Sequence, residues 1–95
     1  MIQAMSTFRM GRIVSTPGAI AACDEQGISQ FELLQRHGSG DWGDLCGEDK
    51  ALNDLALTEG EGRIFSSYEL PSEGRVWVIT ESDRSATTLL LPEEY

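Results

Sequence analysis

The chain has 95 residues, of which 16 are Asp or Glu and 7 are Lys or Arg, so its formal net charge is −9. Nucleic acids and anionic membranes are bound through cationic surfaces, and this excess of acids argues against both as direct partners. A hydrophobic fraction of 40% is typical of a folded protein, so we expect a flexible extension at 1–6 followed by one domain over 7–95.

The first half of the chain predicts one strand and three helices. Loose apolar alternation predicts a strand over 8–15. A helix is expected over 16–27, because Thr16 is a good N-cap and Pro17 suits the first helical position. Ser29 and Glu32 have the spacing of a capping box, which predicts a second helix ending near residues 37–38.

The third helix is expected to begin between Asp44 and Glu48 and to end at Gly60 and Gly62. Its residues predict an amphipathic helix with apolar side chains turned to the core. The inward side chains would be those of Leu45, Leu52, Leu55 and Ala56, and the outward ones mostly those of Glu48, Asp49, Lys50, Asn53 and Asp54.

From residue 63 the period changes to two, which is typical of strands. Strands are expected over 64–70 and 75–80, joined by the turn sequence 71–74, with a last strand over 86–91 that Pro92 ends. The hydroxyl-rich stretch before that last strand predicts a local turn at Asp83 and Arg84. The fold class is therefore α+β, with three short helices packed on one face of a three- to four-stranded antiparallel sheet.

The segment 41–61 is the most acidic part of the chain, since it holds seven acids and one base, Lys50. Acids near a helix N-terminus are favoured by the helix dipole, which predicts a solvated surface. The alternative is a negative surface that docks on a cationic groove. On that alternative, the candidate partner-binding residues are Asp41, Trp42, Asp44, Glu48, Asp49 and Asp54.

Trp42 lies between glycines and has two alternative roles. A buried indole would fill the junction of helix and sheet, whereas an exposed one would anchor a partner. Burial is the preferred prediction.

Residues that bear chemistry are few. Cys23 and Cys46 are expected to be reduced thiols, one or both buried, in a cytoplasmic protein that has neither a membrane span nor a secretion signal. A zinc site of these cysteines with His37 and Asp41 lacks paired ligand spacing, and nothing marks a cysteine as activated. We expect no metal, no cofactor and no catalytic residue; an enzyme using His37 and Cys46 is the least favoured hypothesis.

Four ordered blocks carry a resemblance: residues 11–19 (GRIVSTPGA), 40–45 (GDWGDL), 75–85 (RVWVITESDRS) and 91–95 (LPEEY). Over residues 8–95 the chain resembles a family of small proteins carried mostly on plasmids, integrated elements and phages of proteobacteria. The resemblance implies no catalytic residues. It implies a mobile-element protein that inhibits a host CRISPR or restriction complex by binding a basic surface of one of its subunits.

The alternative function is a plasmid-maintenance accessory protein that acts by self-association, as a homodimer, or through a dedicated protein partner. Its interface would be the sheet, with Tyr68, Trp77 and the strand at 89–91 exposed on an edge.

Overall fold

The computed structural model describes residues 7–95, so the extension expected at 1–6 lies outside the described residues. The elements, in chain order, are β1 (Arg12–Ser15), α1 (Pro17–Glu25), α2 (Gln30–Gly38), α3 (Gly47–Glu59), β2 (Ile64–Glu69), β3 (Arg75–Thr80) and β4 (Ala86–Leu90), with a 3₁₀ turn over Pro92–Glu94. The predicted α+β class, with three helices and a four-stranded sheet, is confirmed. Across 7–95, no helix combines the length and the apolar character needed to cross a membrane.

The sheet has the strand order β1-β4-β3-β2. The pairs β2–β3 and β3–β4 are antiparallel, as expected for the hairpin at 71–74 and the turn that follows β3. β1 is parallel to β4, so the sheet is mixed rather than purely antiparallel. The first and last strands of the chain are therefore neighbours, and β4 is an interior strand.

The helix-covered face of the sheet carries the main core. Side chains two apart on each strand point to this face, and the register sets Tyr68 opposite Val76 and Val78 opposite Leu89. These four buried residues pack with buried side chains of α1 and α2, namely Ala19, Cys23 and Leu33.

The helices α1 and α2 begin where the sequence predicts, because each has a side chain that caps its first turn. The Thr16 hydroxyl accepts a hydrogen bond from the Ala19 N–H at 3.1 Å, and the Ser29 hydroxyl accepts one from the Glu32 N–H at 3.4 Å. Each bond satisfies a backbone donor that the first turn of a helix leaves free. At the other end of α1, the Gln26 amide bonds the backbone of Ser72 and Glu73, which holds the β2–β3 turn against the helix.

The predicted orientation of α3 is correct for Ala56 and for Leu45, which packs against the same cluster, but wrong for Leu52, Leu55 and Asn53. Its buried residues are Asn53 and Ala56, whereas Leu52 and Leu55 are 61% and 50% exposed. The physical reason is that Asn53 faces the outer edge of β2, where its amide accepts a hydrogen bond from the Phe65 N–H and donates one to the Phe65 carbonyl. The helix therefore lies along the strand edge and turns its leucines outward.

Candidate functional site

The loop before α3 pairs with the outer edge of β2 at a single residue, where Gly43 lies beside Ser67. The Asp44 N–H donates to the Ser67 carbonyl at 2.7 Å, and the Ser67 N–H donates to the Trp42 carbonyl at 3.1 Å. Between them Gly43 has φ 75°, and a Cβ there would lie 2.1 Å from the Ser67 carbonyl oxygen. This close approach requires glycine.

Trp42 lies inward, as the preferred alternative predicts, and is only 5% exposed. Its ring packs against those of Phe8 and His37, with centroids 6.4 and 5.9 Å away. Its Nε1 donates to the Asp54 carboxylate at 3.3 Å. An indole that is enclosed in this way cannot anchor a partner. Trp42 therefore does not belong among the candidate partner-binding residues.

Three of the candidate acids have partners within the fold. Asp41 pairs with Arg36 at 2.7 Å and accepts from the Gly43 N–H at 3.1 Å. The Arg36 hydrogen bond is the main reason that the pKa of Asp41 lies below its ordinary value. Asp44 accepts from the Glu69 N–H at 3.2 Å, and Asp54 holds the Trp42 indole. Part of the acidic segment is thus structural, although all three acids remain exposed.

Glu48 and Asp49 occupy the first turn of α3, where the helix dipole favours negative charge. Glu48 is exposed and Asp49 is half-buried. Cys46 is the N-cap, with no side-chain hydrogen bond to the helix. Within residues 7–95, Glu48 and Asp49 are the two predicted acids whose carboxylates form no hydrogen bond or ion pair.

The outward surface of α3 combines acids with exposed leucines. Glu48, Leu52, Leu55 and Glu59 follow one another at helical spacing and are all exposed. We call these four residues the α3 stripe. Sequence reasoning missed the two leucines because it assigned them to the core. The available signal was that Asn53, Ala56 and Leu57 share the opposite side of the helix.

His37 is fully buried on α2, and both ring nitrogens have hydroxyl partners. Nδ1 lies 2.6 Å from the Ser66 Oγ and Nε2 lies 2.9 Å from the Thr80 Oγ1. Each ring nitrogen therefore faces a hydroxyl group and not a cysteine or a carboxylate. Among the described residues, no group of three or more His, Cys, Asp or Glu side chains is placed to hold a metal ion.

The two cysteines are free thiols, as predicted, with Cys23 buried and Cys46 exposed. Burial, followed by the charge of Asp24, raises the pKa of the Cys23 thiol. A raised thiol pKa lowers the thiolate fraction and with it the nucleophilicity.

The predicted Asp83–Arg84 turn is present and has a structural role. The Asp83 carboxylate accepts from the Ser85 N–H at 3.0 Å. Arg84 has φ 62°, and its guanidinium donates to the carbonyls of Gly62 at 2.7 Å and Ala56 at 3.3 Å. It ties the end of α3 to the β3–β4 turn.

The face of the sheet opposite the helices carries an aromatic groove of about 260 Å³. Trp77 stacks edge-on between Phe65 and Tyr95, at centroid distances of 5.0 and 5.8 Å, and Arg63 donates to the Tyr95 hydroxyl at 2.8 Å. The self-association surface expected from the sequence is only partly on this face. Trp77 lies there, whereas Tyr68 and Leu89 are buried beneath the helices. The strand expected at an edge is the interior β4.

No family model matches this chain, and neither curated proteins nor solved structures give a match.

Proposed function

We propose that this chain is a non-catalytic binding protein whose α3 stripe docks on a protein partner with a basic surface and an apolar cleft. The observation that carries the proposal is the exposure of Leu52 and Leu55 between Glu48 and Glu59. α3 is held to the fold by Asn53 and Ala56 on its other side, so the stripe is not needed for packing.

The leucines and the acids would contribute differently to binding. Full burial of a leucine side chain contributes about 1.5–3 kcal/mol, so the pair supplies the centre of an interface. The surrounding carboxylates steer a cationic partner and raise the association rate more than the affinity. This arrangement, an apolar centre within a charged rim, is typical of protein interfaces.

The partner we propose is a nucleic-acid-processing subunit of a host CRISPR or restriction complex. The resemblance to mobile-element proteins supports that class, and a net charge of −9 suits competition with nucleic acid for a cationic groove. The non-catalytic character is supported by His37, whose two nitrogens are both engaged, and by the enclosed Cys23 thiol.

The test is an affinity capture of the tagged chain from a proteobacterial lysate at low and high salt, followed by affinity measurement with the purified captured protein. Two variants remove the two parts of the stripe: Leu52→Ser/Leu55→Ser and Glu48→Lys/Glu59→Lys. We expect the leucine variant to lose at least about tenfold in affinity at any salt concentration. The charge variant should lose affinity mainly at low salt.

The matched control is Glu25→Lys/Glu73→Lys, which makes the same change in net charge at exposed acids on α1 and the β2–β3 turn. It should bind as the parent chain does. Asp44 is left unchanged because its carboxylate caps the Glu69 N–H. Unchanged affinity of both stripe variants, with an unaltered circular dichroism spectrum, would contradict the proposal.

A further inference from the structure

The two edges of the sheet differ, and the β2 edge is closed because its outward backbone groups already have hydrogen-bond partners. Along it the Asn53 amide satisfies the N–H and carbonyl of Phe65 at 3.0 and 2.6 Å. The 42–44 loop satisfies both backbone groups of Ser67, and the Asp44 carboxylate takes the Glu69 N–H. No further strand can pair there.

As far as residues 7–95 show, the β1 edge is open. β1 pairs with β4 in parallel, and the N–H groups of Arg12 and Thr16 donate to the carbonyls of Ser85 and Leu89 at 3.0 Å each. Because backbone groups alternate in direction along a strand, those of Ile13 and Ser15 point away from the sheet. No hydrogen bond from elsewhere in residues 7–95 covers these backbone groups.

Apolar side chains surround this open edge. Ile13 is 45% exposed and Val14 is 40% exposed, one on each face of the sheet. On the helix side, the Ser15 hydroxyl bonds the Gln30 side chain, which brings the start of α2 and the exposed Phe31 to this end of the sheet. An open strand edge flanked by exposed apolar side chains is typical of an interface formed by strand addition.

We infer that β1 pairs antiparallel with β1 of a second copy of this chain, about a two-fold axis through Val14. In this register Ile13 of each copy exchanges two hydrogen bonds with Ser15 of the other copy. All four outward backbone groups of the strand are then satisfied by the same four groups of its copy, which is the self-complementarity that a symmetric dimer requires. Val14 meets its own copy on the face opposite the helices.

Charge complementarity also favours a second copy over an unrelated strand. The register places Arg12 opposite Thr16 of the other copy, whose hydroxyl donates to the Glu94 carboxylate in each chain. Arg12 forms no ion pair within residues 7–95, whereas Glu94 is an exposed acid. The pairing therefore brings an exposed cation toward an anion on both sides of the axis.

The net charge opposes this association, since each copy carries −9. Repulsion between like-charged copies is screened by salt, so the dimer should strengthen as salt rises. The closed β2 edge and α3 lie at the far ends of the resulting eight-stranded sheet, so the dimer leaves both α3 stripes accessible. The inference does not depend on the proposed function.

The test is sedimentation velocity of the full chain over a range of concentrations, with Val14→Lys and Val14→Glu analysed singly and as an equimolar mixture. Like charges directly opposite on paired strands are destabilising. Each single variant should therefore dimerise at a roughly tenfold higher concentration than the parent chain, and the mixture should recover the dimer. The matched control, Leu52→Lys on α3, should dimerise as the parent chain does.

A parent chain that stays monomeric at the highest concentration would overturn the inference. So would a Val14→Lys variant that dimerises as the parent chain does. If either Val14 variant loses its circular dichroism spectrum, Arg12→Glu replaces it, because this change places two acids together at each end of the paired strands. It should weaken the dimer, and an unchanged dimer would overturn the proposed register.

Discussion

At the scale of single residues, His37 belongs to a chain of buried hydrogen bonds through hydroxyl groups. In this chain the donor and the acceptor of every bond are determined. The Thr87 hydroxyl donates to the Met10 carbonyl at 2.7 Å, so it accepts from Thr80 at 2.6 Å. Thr80 in turn accepts from His37 Nε2, which leaves Nδ1 to accept from Ser66. Every polar atom is satisfied only while the imidazole is neutral and carries its proton on Nε2.

This arrangement predicts a loss of stability in mild acid. Burial lowers the pKa of His37 to about 4, from 6.5 in an unfolded chain. Between these values the unfolded state binds more protons, so stability is fully present above pH 6.5 and falls by about 3 kcal/mol toward pH 4. The measurement is the urea midpoint as a function of pH.

The control for this prediction is His37→Gln, which keeps hydrogen-bonding groups but does not titrate. Acids whose pKa is lowered in the fold, such as Asp41, lose their stabilising effect as pH falls, in the parent chain and in His37→Gln alike. The difference between the two curves of urea midpoint against pH therefore reports on His37 alone. That difference should change between pH 6.5 and 4. A constant difference would show that the imidazole does not titrate as described.

At the scale of elements, the attachment of α3 to β2 depends on one amide. Asn53→Ala removes both partners of the Phe65 backbone groups, and each unsatisfied group costs about 1–3 kcal/mol when it is shielded from water. Alanine recovers a few tenths of a kcal/mol in helix propensity. We expect a net loss of about 2 kcal/mol in the free energy of unfolding, measured by urea denaturation.

The comparison for Asn53→Ala is Leu52→Ala, one residue earlier and exposed. Its cost should be below about 0.5 kcal/mol, since surface substitutions rarely exceed that. Equal losses for the two variants would mean that Leu52 holds the helix as strongly as Asn53 does. Leu52 would then pack against the fold and would not be free to bind a partner.

Signals that lie within a few residues of one another predict this fold well. Thr16 with Pro17, Ser29 with Glu32, and the turn at 71–74 act through near neighbours, and each element they predict is present. Positions that depend on distant partners were not predictable. The orientation of α3 depends on Phe65, 12 residues beyond Asn53, and the spacing of Leu52 and Leu55 alone suggested the opposite side.

The candidate site follows the same division. The acidic segment is visible in the composition, and burial of Trp42 is confirmed. The pairing of Asp44 with β2 requires contacts 25 residues apart, and the uncovered β1 edge requires the parallel pairing of the first and last strands. Neither has a local signal, because hydrogen-bond partners in a sheet are set by the tertiary fold.

At the scale of the whole molecule, the end of the chain is attached to the beginning of the first helix. The Glu94 carboxylate accepts from the Thr16 hydroxyl, from the Gly18 N–H at 3.2 Å and from the Leu91 N–H at 2.9 Å. The Thr16 bond is the main cause of its lowered pKa. The stability from this contact is therefore present at neutral pH and lost as pH falls through the lowered pKa.

Two glycines in first turns of helices test this closure of the fold. A Cβ at Gly18 would lie 2.5 Å from the Glu94 carboxylate, whereas one at Gly47 would meet nothing within 4 Å. We expect Gly47→Ala to stabilise the chain by about 0.4–1 kcal/mol, because alanine restricts the unfolded state. Gly18→Ala should instead lower the urea midpoint at neutral pH, since the Glu94 carboxylate is displaced from its donors. This deficit should shrink in acid, where protonated Glu94 contributes less in both proteins. A Gly18→Ala variant as stable as Gly47→Ala at neutral pH would show that the Glu94 contact does not hold the 3₁₀ turn to the start of α1.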